Sequence, residues 1–309
     1  MRIIVHGGAG GVPEEPELRQ RVLDEAANAG ANESSPIDAV ETAIGRLEAS
    51  ERFNAGYGGA IESDGVVRTD AGMMTSERDA GAAASMPGVE RAISVARVVM
   101  EATPHVLVVG DRAVDLAADF GIETDVDLLT DETRSQFEAE SPPDGGPREH
   151  LEWLRSRFGT GHDQAGESAV ERDRAGASDH DTVGAVATDG ETFVGATSTA
   201  GRSFALAGRV GDVPQIGSGF YASPAGAASA TGAGEDIAKV TLTRRAVGHL
   251  ERGCDAQTAA GLAIEEFGEL TGASAGVIVL DDEGAGSAYN STDMQTSVAD
   301  RRVDNDPHV

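Results

Sequence analysis

The chain has 309 residues, enough to bury a full core as one large domain or two small ones. Its 53 acidic residues against 24 basic ones give a formal net charge of -29, with Lys239 the only lysine, so nucleic acid and anionic membrane are excluded as partners. The single cysteine, Cys254, rules out an intrachain disulfide and a zinc site built of cysteines.

The acidic residues are spread along segments that keep their apolar periodicity, which predicts a solvated acidic surface rather than an acidic tail. Together with arginine in place of lysine, such a surface is expected of a protein that works in high salt, where screening removes self-repulsion. The opening, MRIIVHGGAG, has a short apolar run broken by glycines, and no apolar stretch is long enough to span a bilayer. A cytoplasmic protein is expected.

In chain order, Arg2 to His6 reads as a buried strand entering a glycine turn at Gly7 to Gly11. Pro16 to Ala29 has helical spacing, with Leu18, Val22 and Ala26 on one face. Ser35 caps a second helix that starts at Pro36 and presents Ala39, Ala43, Ile44 and Leu47. Short β-like pieces follow between Ala60 and Ser85, then a helix from Val89 to Met100, stopped by Pro104. His105 to Val109 reads as a buried strand and Arg112 to Phe120 as a helix closed by Gly121.

From about Thr130 to Asp179 the composition shifts to Pro, Gly and charged residues, which predicts a mobile connector with a helix around His150 to Phe158. It ends where a strand begins at Thr182, paired across the Asp189-Gly190 turn with Phe193 to Thr199. Glu235 to Arg252 and Ala256 to Phe267 read as helices, the first of them long. Ala275 to Leu280 and Ser287 to Asn290 form a second hairpin about Asp281 to Gly284. Two sheets covered by helices fit this order.

A threonine hydroxyl is a weak nucleophile that needs an adjacent base, and a threonine at a chain terminus carries one in its own α-amine. Thr182 reaches that state only if the bond after Asp181 breaks, and a flexible acidic connector is where a cut does least damage. A lone threonine at a strand start is ordinarily just a β-branched residue. Gly7 to Gly11 fits neither phosphate-loop spacing, and the seven histidines show no metal-ligand spacing.

The blocks His180-Asp181-Thr182-Val183-Gly184-Ala185-Val186-Ala187, Ala196-Thr197-Ser198-Thr199-Ala200-Gly201, Gly208-Arg209-Val210-Gly211-Asp212 and Ala230-Thr231-Gly232-Ala233-Gly234-Glu235 resemble, in order, the plant-type asparaginase and isoaspartyl-peptidase family. Val5-His6-Gly7-Gly8-Ala9-Gly10, Phe53-Asn54-Ala55-Gly56 and Ala102-Thr103-Pro104-His105-Val106 extend the likeness over the first half. Ala200 stands where the family pattern usually has glycine, and the connector and the tail after about Val298 have no match.

The resemblance implies an α+β, four-layer αββα sandwich of the N-terminal-nucleophile hydrolases, one domain processed into an α chain 1–181 and a β chain 182–309. It implies Thr182 as nucleophile, Thr199 assisting its activation, and Thr231 and Gly232 as the oxyanion hole. Arg209 would clamp the substrate α-carboxylate, Asp212 would receive the α-ammonium, and Asn54 would align the nucleophile. It further implies a sodium-binding loop of backbone carbonyls at Leu47, Glu48, Ser50, Phe53, Ala55 and Tyr57, with no cofactor required. The expected partners are a small-molecule or dipeptide substrate and a second copy, as a homodimer of αβ units.

Two alternatives stand beside this reading. His180-Asp181 and Phe204 look somewhat more like glycosylasparaginase, although the only tryptophan, Trp153, lies in the connector and offers no sugar platform near the first strand. A non-enzymatic binding protein on an unprocessed scaffold would keep one intact chain.

Overall fold

The computed structural model describes residues 1–158 and 182–301. The first half runs β1 (Arg2–Gly10), α1 (Pro16–Ala31), α2 (Pro36–Glu48), β2 (Arg68–Thr75), β3 (Ala80–Pro87), α3 (Ala92–Ala102), β4 (Leu107–Val109), α4 (Asp111–Asp119), α5 (Asp131–Glu140) and α6 (Pro147–Phe158). The second runs β5 (Val183–Thr188), β6 (Phe193–Thr199), β7 (Phe220–Ser223), β8 (Gly226–Gly232), α7 (Gly234–Val240), α8 (Leu242–Leu250), α9 (Ala256–Thr271), β9 (Ala275–Leu280), β10 (Ala285–Tyr289) and β11 (Asp293–Asp300).

The strands form a seven-stranded sheet, in the order β11-β1-β5-β6-β2-β3-β4, and a four-stranded sheet, β10-β9-β8-β7. Alternation along the strands divides their side chains among three cores. Ile3, Val5 and Met73 face Leu23, Ile44 and Ile93 of α1, α2 and α3. Ile4 and Val186 meet Phe220, Ile278 and Leu280 between the sheets. Val277 and Val279 pack on Val247, Leu250, Ile264 and Phe267 of α8 and α9. The result is the expected αββα layering.

Local chemistry sets the helix boundaries. Ser35 Oγ accepts the Asp38 N–H at 3.2 Å and Pro36 occupies the first turn of α2. Asp255 caps α9 through the Thr258 N–H at 2.9 Å, and Gly272, at φ 67, ends it. β5 lies in the middle of the large sheet with every residue buried, which explains its unbroken run of small and apolar residues.

Several sequence expectations are corrected. The glycines after His6 do not make a turn: β1 continues through them to Gly10, with an irregularity between His6 and Ala9 and Gly8 at φ 113. The expected buried strand at His105 to Val109 is a three-residue edge strand, with Leu107 and Val109 about half exposed, because the seven-stranded sheet overhangs the four-stranded one. The expected long helix from Glu235 breaks at Thr241, whose φ of 55 separates α7 from α8.

The expected mobile connector is folded over its first part. Thr130 opens α5 with a capping box, and α6 carries Trp153 to within 6.0 Å of the Phe204 ring centroid. Residues 159–181, including Asp181 and the rest of the connector, lie outside the described residues. The strands β7, β8 and β11 have no counterpart in the sequence reading: small residues hide the apolar alternation of β7 and β8, and β11 is a largely polar edge strand.

Candidate active site

Thr182 directly precedes β5. Val183 pairs with Ser198 in the β5–β6 ladder, so register alone sets Thr182 opposite Thr199. Their hydroxyls are 3.5 Å apart, the long limit of a hydrogen bond, and both residues are buried. Thr199 Oγ1 accepts the Gly201 N–H at 3.2 Å and lies 3.4 Å from the Asn54 carbonyl, to which it donates. Asn54 in turn accepts from the Ala60 N–H and donates to the Gly201 carbonyl, both at 2.7 Å. Asn54 thereby fastens the loop after α2 to the end of β6 and meets Thr182 only through Thr199. The methyl of Ala200 is fully buried with Ile61, Val67 and Leu128, so alanine is accommodated there.

Behind the threonines is a neutral polar network to which the sequence reading gave no role. His6 Nε2 bonds Ser229 Oγ at 2.9 Å, and Ser229 Oγ is 2.8 Å from Thr197 Oγ1, which donates to the Gly219 carbonyl at 2.8 Å. Burial pulls the His6 imidazole down to about 3; the nearby Thr182 backbone opposes the fall and the Arg19 charge adds to it. His6 is neutral at working pH. Gly184 has no side chain because a Cβ would collide with Ser229 and His6.

Thr231 and Gly232 end β8 on the facing sheet. Gly232 lines the cleft at φ 131, a region that favours glycine. Thr231 is fully buried, and its hydroxyl accepts the Ala9 N–H at 3.3 Å, an interaction that uses a lone pair and not the hydroxyl hydrogen.

The opposite wall is charged. Arg209 is held by a bidentate pair to Glu235, Nε to Oε1 at 2.7 Å and Nη2 to Oε2 at 2.8 Å. Burial opposes ionisation of Glu235, but the Arg209 bonds and charge outweigh it and hold the carboxyl down at about 2. Asp212 is buried, and its Oδ2 makes no hydrogen bond with any described residue. Burial pushes Asp212 up to about 7, against hydrogen bonding from its own backbone and the Arg209 charge.

Sequence reasoning missed two members of this wall. Glu235 was assigned to the Gly234-Glu235 block without a role. Asp70 sits opposite Thr199 in the β2–β6 ladder, buried, accepting the Ser85 N–H at 2.7 Å across a register shift where Ser85 has φ 54. Burial raises Asp70 to about 7, with the Ser85 bond and the Arg209 charge opposing. Only a strand-pairing register could have revealed it.

The loop from Leu47 to Tyr57 is a compact coil. The carbonyls of Leu47, Glu48 and Ser50 accept the N–H groups of Ser50, Tyr57 and Phe53 at 3.2, 3.0 and 3.1 Å. Phe53 and Ala55 are buried, and Gly56 is required because a Cβ would strike the Glu48 carbonyl. The Glu48 carboxyl caps α3 through the Ile93 N–H at 2.9 Å and accepts from Ser198 Oγ at 2.6 Å, while burial raises it to about 8 against both bonds. Among the described residues no group of three or more His, Cys, Asp or Glu could hold a metal ion, and no helix is long and apolar enough to cross a membrane.

Helices sheathing two stacked sheets, with Thr182 and Thr199 of one sheet and Gly232 of the other at one cleft, define the class: this is the N-terminal-nucleophile hydrolase fold. The chain belongs to the asparaginase family, whose model, described as Asparaginase, matches residues 1–308. It is 40% identical to a plant-type L-asparaginase of Thermococcus kodakarensis and 41% identical to one of Pyrococcus abyssi, with 94% of each chain covered in both cases. It is 33% identical to the isoaspartyl peptidase/L-asparaginase of Danio rerio over 96% of this chain and 91% of that one. These relatives do not favour the glycosylasparaginase alternative, and membership of an enzyme family sets aside a non-enzymatic binding role.

Proposed function

We propose that the protein hydrolyses the side-chain amide of L-asparagine and of β-aspartyl peptides, using Thr182 as an N-terminal nucleophile exposed by self-cleavage after Asp181. The observation that carries this reading is the pairing of walls in one cleft: a hydroxyl at the head of an interior strand, opposite a guanidinium and a buried carboxylate oxygen without a partner among the described residues.

In the precursor, the Thr182 hydroxyl attacks the Asp181 carbonyl to give an ester that water opens. The freed α-amine then takes the hydroxyl proton, and Oγ1 attacks the substrate amide carbonyl. Thr231 and the Gly232 N–H receive the charge that develops on oxygen, Thr199 holds the nucleophile, and Asn54 holds Thr199. Ammonia or an amine leaves with a proton, and water hydrolyses the β-aspartyl ester to release L-aspartate. Arg209 and Asp212 bind the α-carboxylate and α-ammonium, and Asp212 Oδ2 is an acceptor placed for the latter.

The carbonyls of Leu47, Glu48, Ser50, Phe53, Ala55 and Tyr57 would hold a sodium ion. The fit rests on a compact coil of oxygens, each with a second lone pair, beside the buried Glu48 carboxyl. Such an ion would stiffen the loop that carries Asn54 and takes no part in the reaction. No cofactor is needed. The mature enzyme is proposed to be α chain 1–181 and β chain 182–309 in one domain, paired as a dimer, cytoplasmic, and adapted to high salt.

The test is a denaturing gel with intact mass, followed by kinetics on matched dipeptides. Two chains meeting at Asp181 and Thr182 are expected, with Thr182→Ala full length and inactive. β-Aspartyl dipeptides and asparagine are expected to be cleaved and α-aspartyl dipeptides not, because an α-linkage ties up the carboxylate that Arg209 needs. An active uncleaved chain, or equal rates on the two linkages, would overturn the reading.

A further inference from the structure

Arg202 lines the same cleft as Thr182, Arg209 and Asp212, yet no step above uses it. It follows β6 by three residues, on a backbone pinned from both sides. Asn54 Nδ2 donates to the Gly201 carbonyl at 2.7 Å, and the Ala205 N–H closes a turn on the Arg202 carbonyl at 3.0 Å. The Phe204 N–H reaches the Ile61 carbonyl at 2.7 Å.

Phe204 is in the left-handed region at φ 55, a conformation a bulky residue rarely adopts. It is held there by stacking on Phe137, at 6.5 Å and 10°, and by the edge of Trp153. Two connector helices thus brace the turn that presents Arg202. The Arg202 side chain is exposed and makes no hydrogen bond or ion pair among the described residues, although its charge reaches Glu235.

Counting substrate charges gives it a role. Asparagine carries one carboxylate and one ammonium, which Arg209 and Asp212 account for. A β-aspartyl dipeptide carries a second carboxylate, on the residue that leaves, two bonds beyond the scissile nitrogen. We infer that Arg202 is a leaving-group subsite that binds the free carboxylate of the departing residue, so that β-aspartyl dipeptides with a free C-terminus are favoured over their C-terminally amidated forms. This rests on the β-aspartyl hydrolase reading above. Arg202 is a specificity residue; it touches neither the nucleophile nor the scissile bond.

The experiment measures kcat/KM at fixed salt for a β-aspartyl dipeptide, the same dipeptide as its C-terminal amide, and asparagine, with the wild type, Arg202→Ala and Arg202→Lys. Amidation is expected to lower wild-type kcat/KM about fivefold, the size of a partly exposed ion pair. Arg202→Ala should lower it about fivefold for the free dipeptide, scarcely for the amide and not for asparagine, and Arg202→Lys should recover part of the loss. Equal treatment of acid and amide by the wild type, or an equal loss on all three substrates in Arg202→Ala, overturns the subsite while leaving the hydrolase reading in place. Failure of the wild type to cleave either dipeptide while cleaving asparagine overturns both the subsite and the β-aspartyl reading.

Discussion

The two walls of the cleft are built on different principles. On one side, Thr182, Thr199, Thr197, Ser229 and His6 are neutral and buried; strand register spaces those of the large sheet, and sheet packing brings Ser229 onto them. On the other, Asp70, Asp212, Glu235 and Arg209 are charged or titratable, and much of that wall lies on the irregular chain between β6 and β7. Neutral groups in a sheet hold a reacting hydroxyl at one place without competing for its proton. Charged groups with few alternatives recognise a zwitterion, and their mutual fields make that recognition depend on pH. The contrast predicts that the two walls fail differently.

The largest difference concerns Arg209. Arg209→Ala is expected to lose about one and a half to three and a half decades of kcat/KM, corresponding to about 2 to 5 kcal/mol for a bidentate charged contact. Self-cleavage should persist, because the precursor bond makes no use of the clamp. Intact mass and kinetics on the same preparation check both halves. A variant that is uncleaved as well as inactive would show that the walls are not separable.

What could be read from the sequence divides along the same line. The threonine pair of the neutral wall was legible because register is local: the Asp189-Gly190 turn fixes β5 against β6, and Thr182 then faces Thr199 with no knowledge of the rest of the fold. The layering was legible too, since the order of strands and helices permits few alternatives. His6 and Asp70 were not, because their roles depend on which strands become neighbours across more than a hundred residues of chain. Thr241 was unreadable for another reason: a helical pattern runs straight through it, and tertiary packing imposes the break. Composition misled over the start of the connector, where polar residues with few apolar anchors still form α5, with Phe137 docked on Phe204, whereas the helix expected around His150 to Phe158 is present as α6.

The next difference is in pH dependence. Asp212 must be ionised to receive an ammonium group, and burial raises it to about 7, so kcat/KM should fall about tenfold per pH unit below that value. Asp212→Asn is expected to abolish the limb along with most activity, whereas Asp70→Asn should leave the limb in place. The stability trend has the opposite sense. Folded Asp70 and Asp212 both sit above their usual 3.8, so the stability they contribute is complete below that pH and is lost as pH rises through about 7. The thermal midpoint should therefore be lower at pH 8 than at pH 6. A pH-independent kcat/KM between 6 and 8 would move the ammonium subsite off Asp212.

The smallest effect on the chemistry, and the clearest separation of surface from site, is expected from salt. A net charge of -29 destabilises the compact state through repulsion, and the screening length falls from about 10 Å at 0.1 M to about 3 Å at 1 M. Screening also weakens surface ion pairs such as those of Arg97 with Asp38, Glu41 and Glu101, but exposed pairs contribute only about 0 to 1 kcal/mol each. Repulsion among the excess carboxylates should dominate, and the thermal midpoint should climb steeply over that range. The neutral wall has no charge to screen, so kcat on asparagine, measured well below the midpoint, should stay within about twofold. KM should rise modestly, because Arg209 and Asp212 are enclosed in the cleft and screened less than surface groups. A flat midpoint would remove the adaptation to high salt and leave the catalytic reading untouched, whereas a kcat that followed the midpoint would mean that the threonine wall is held in place by the charged surface rather than by strand register.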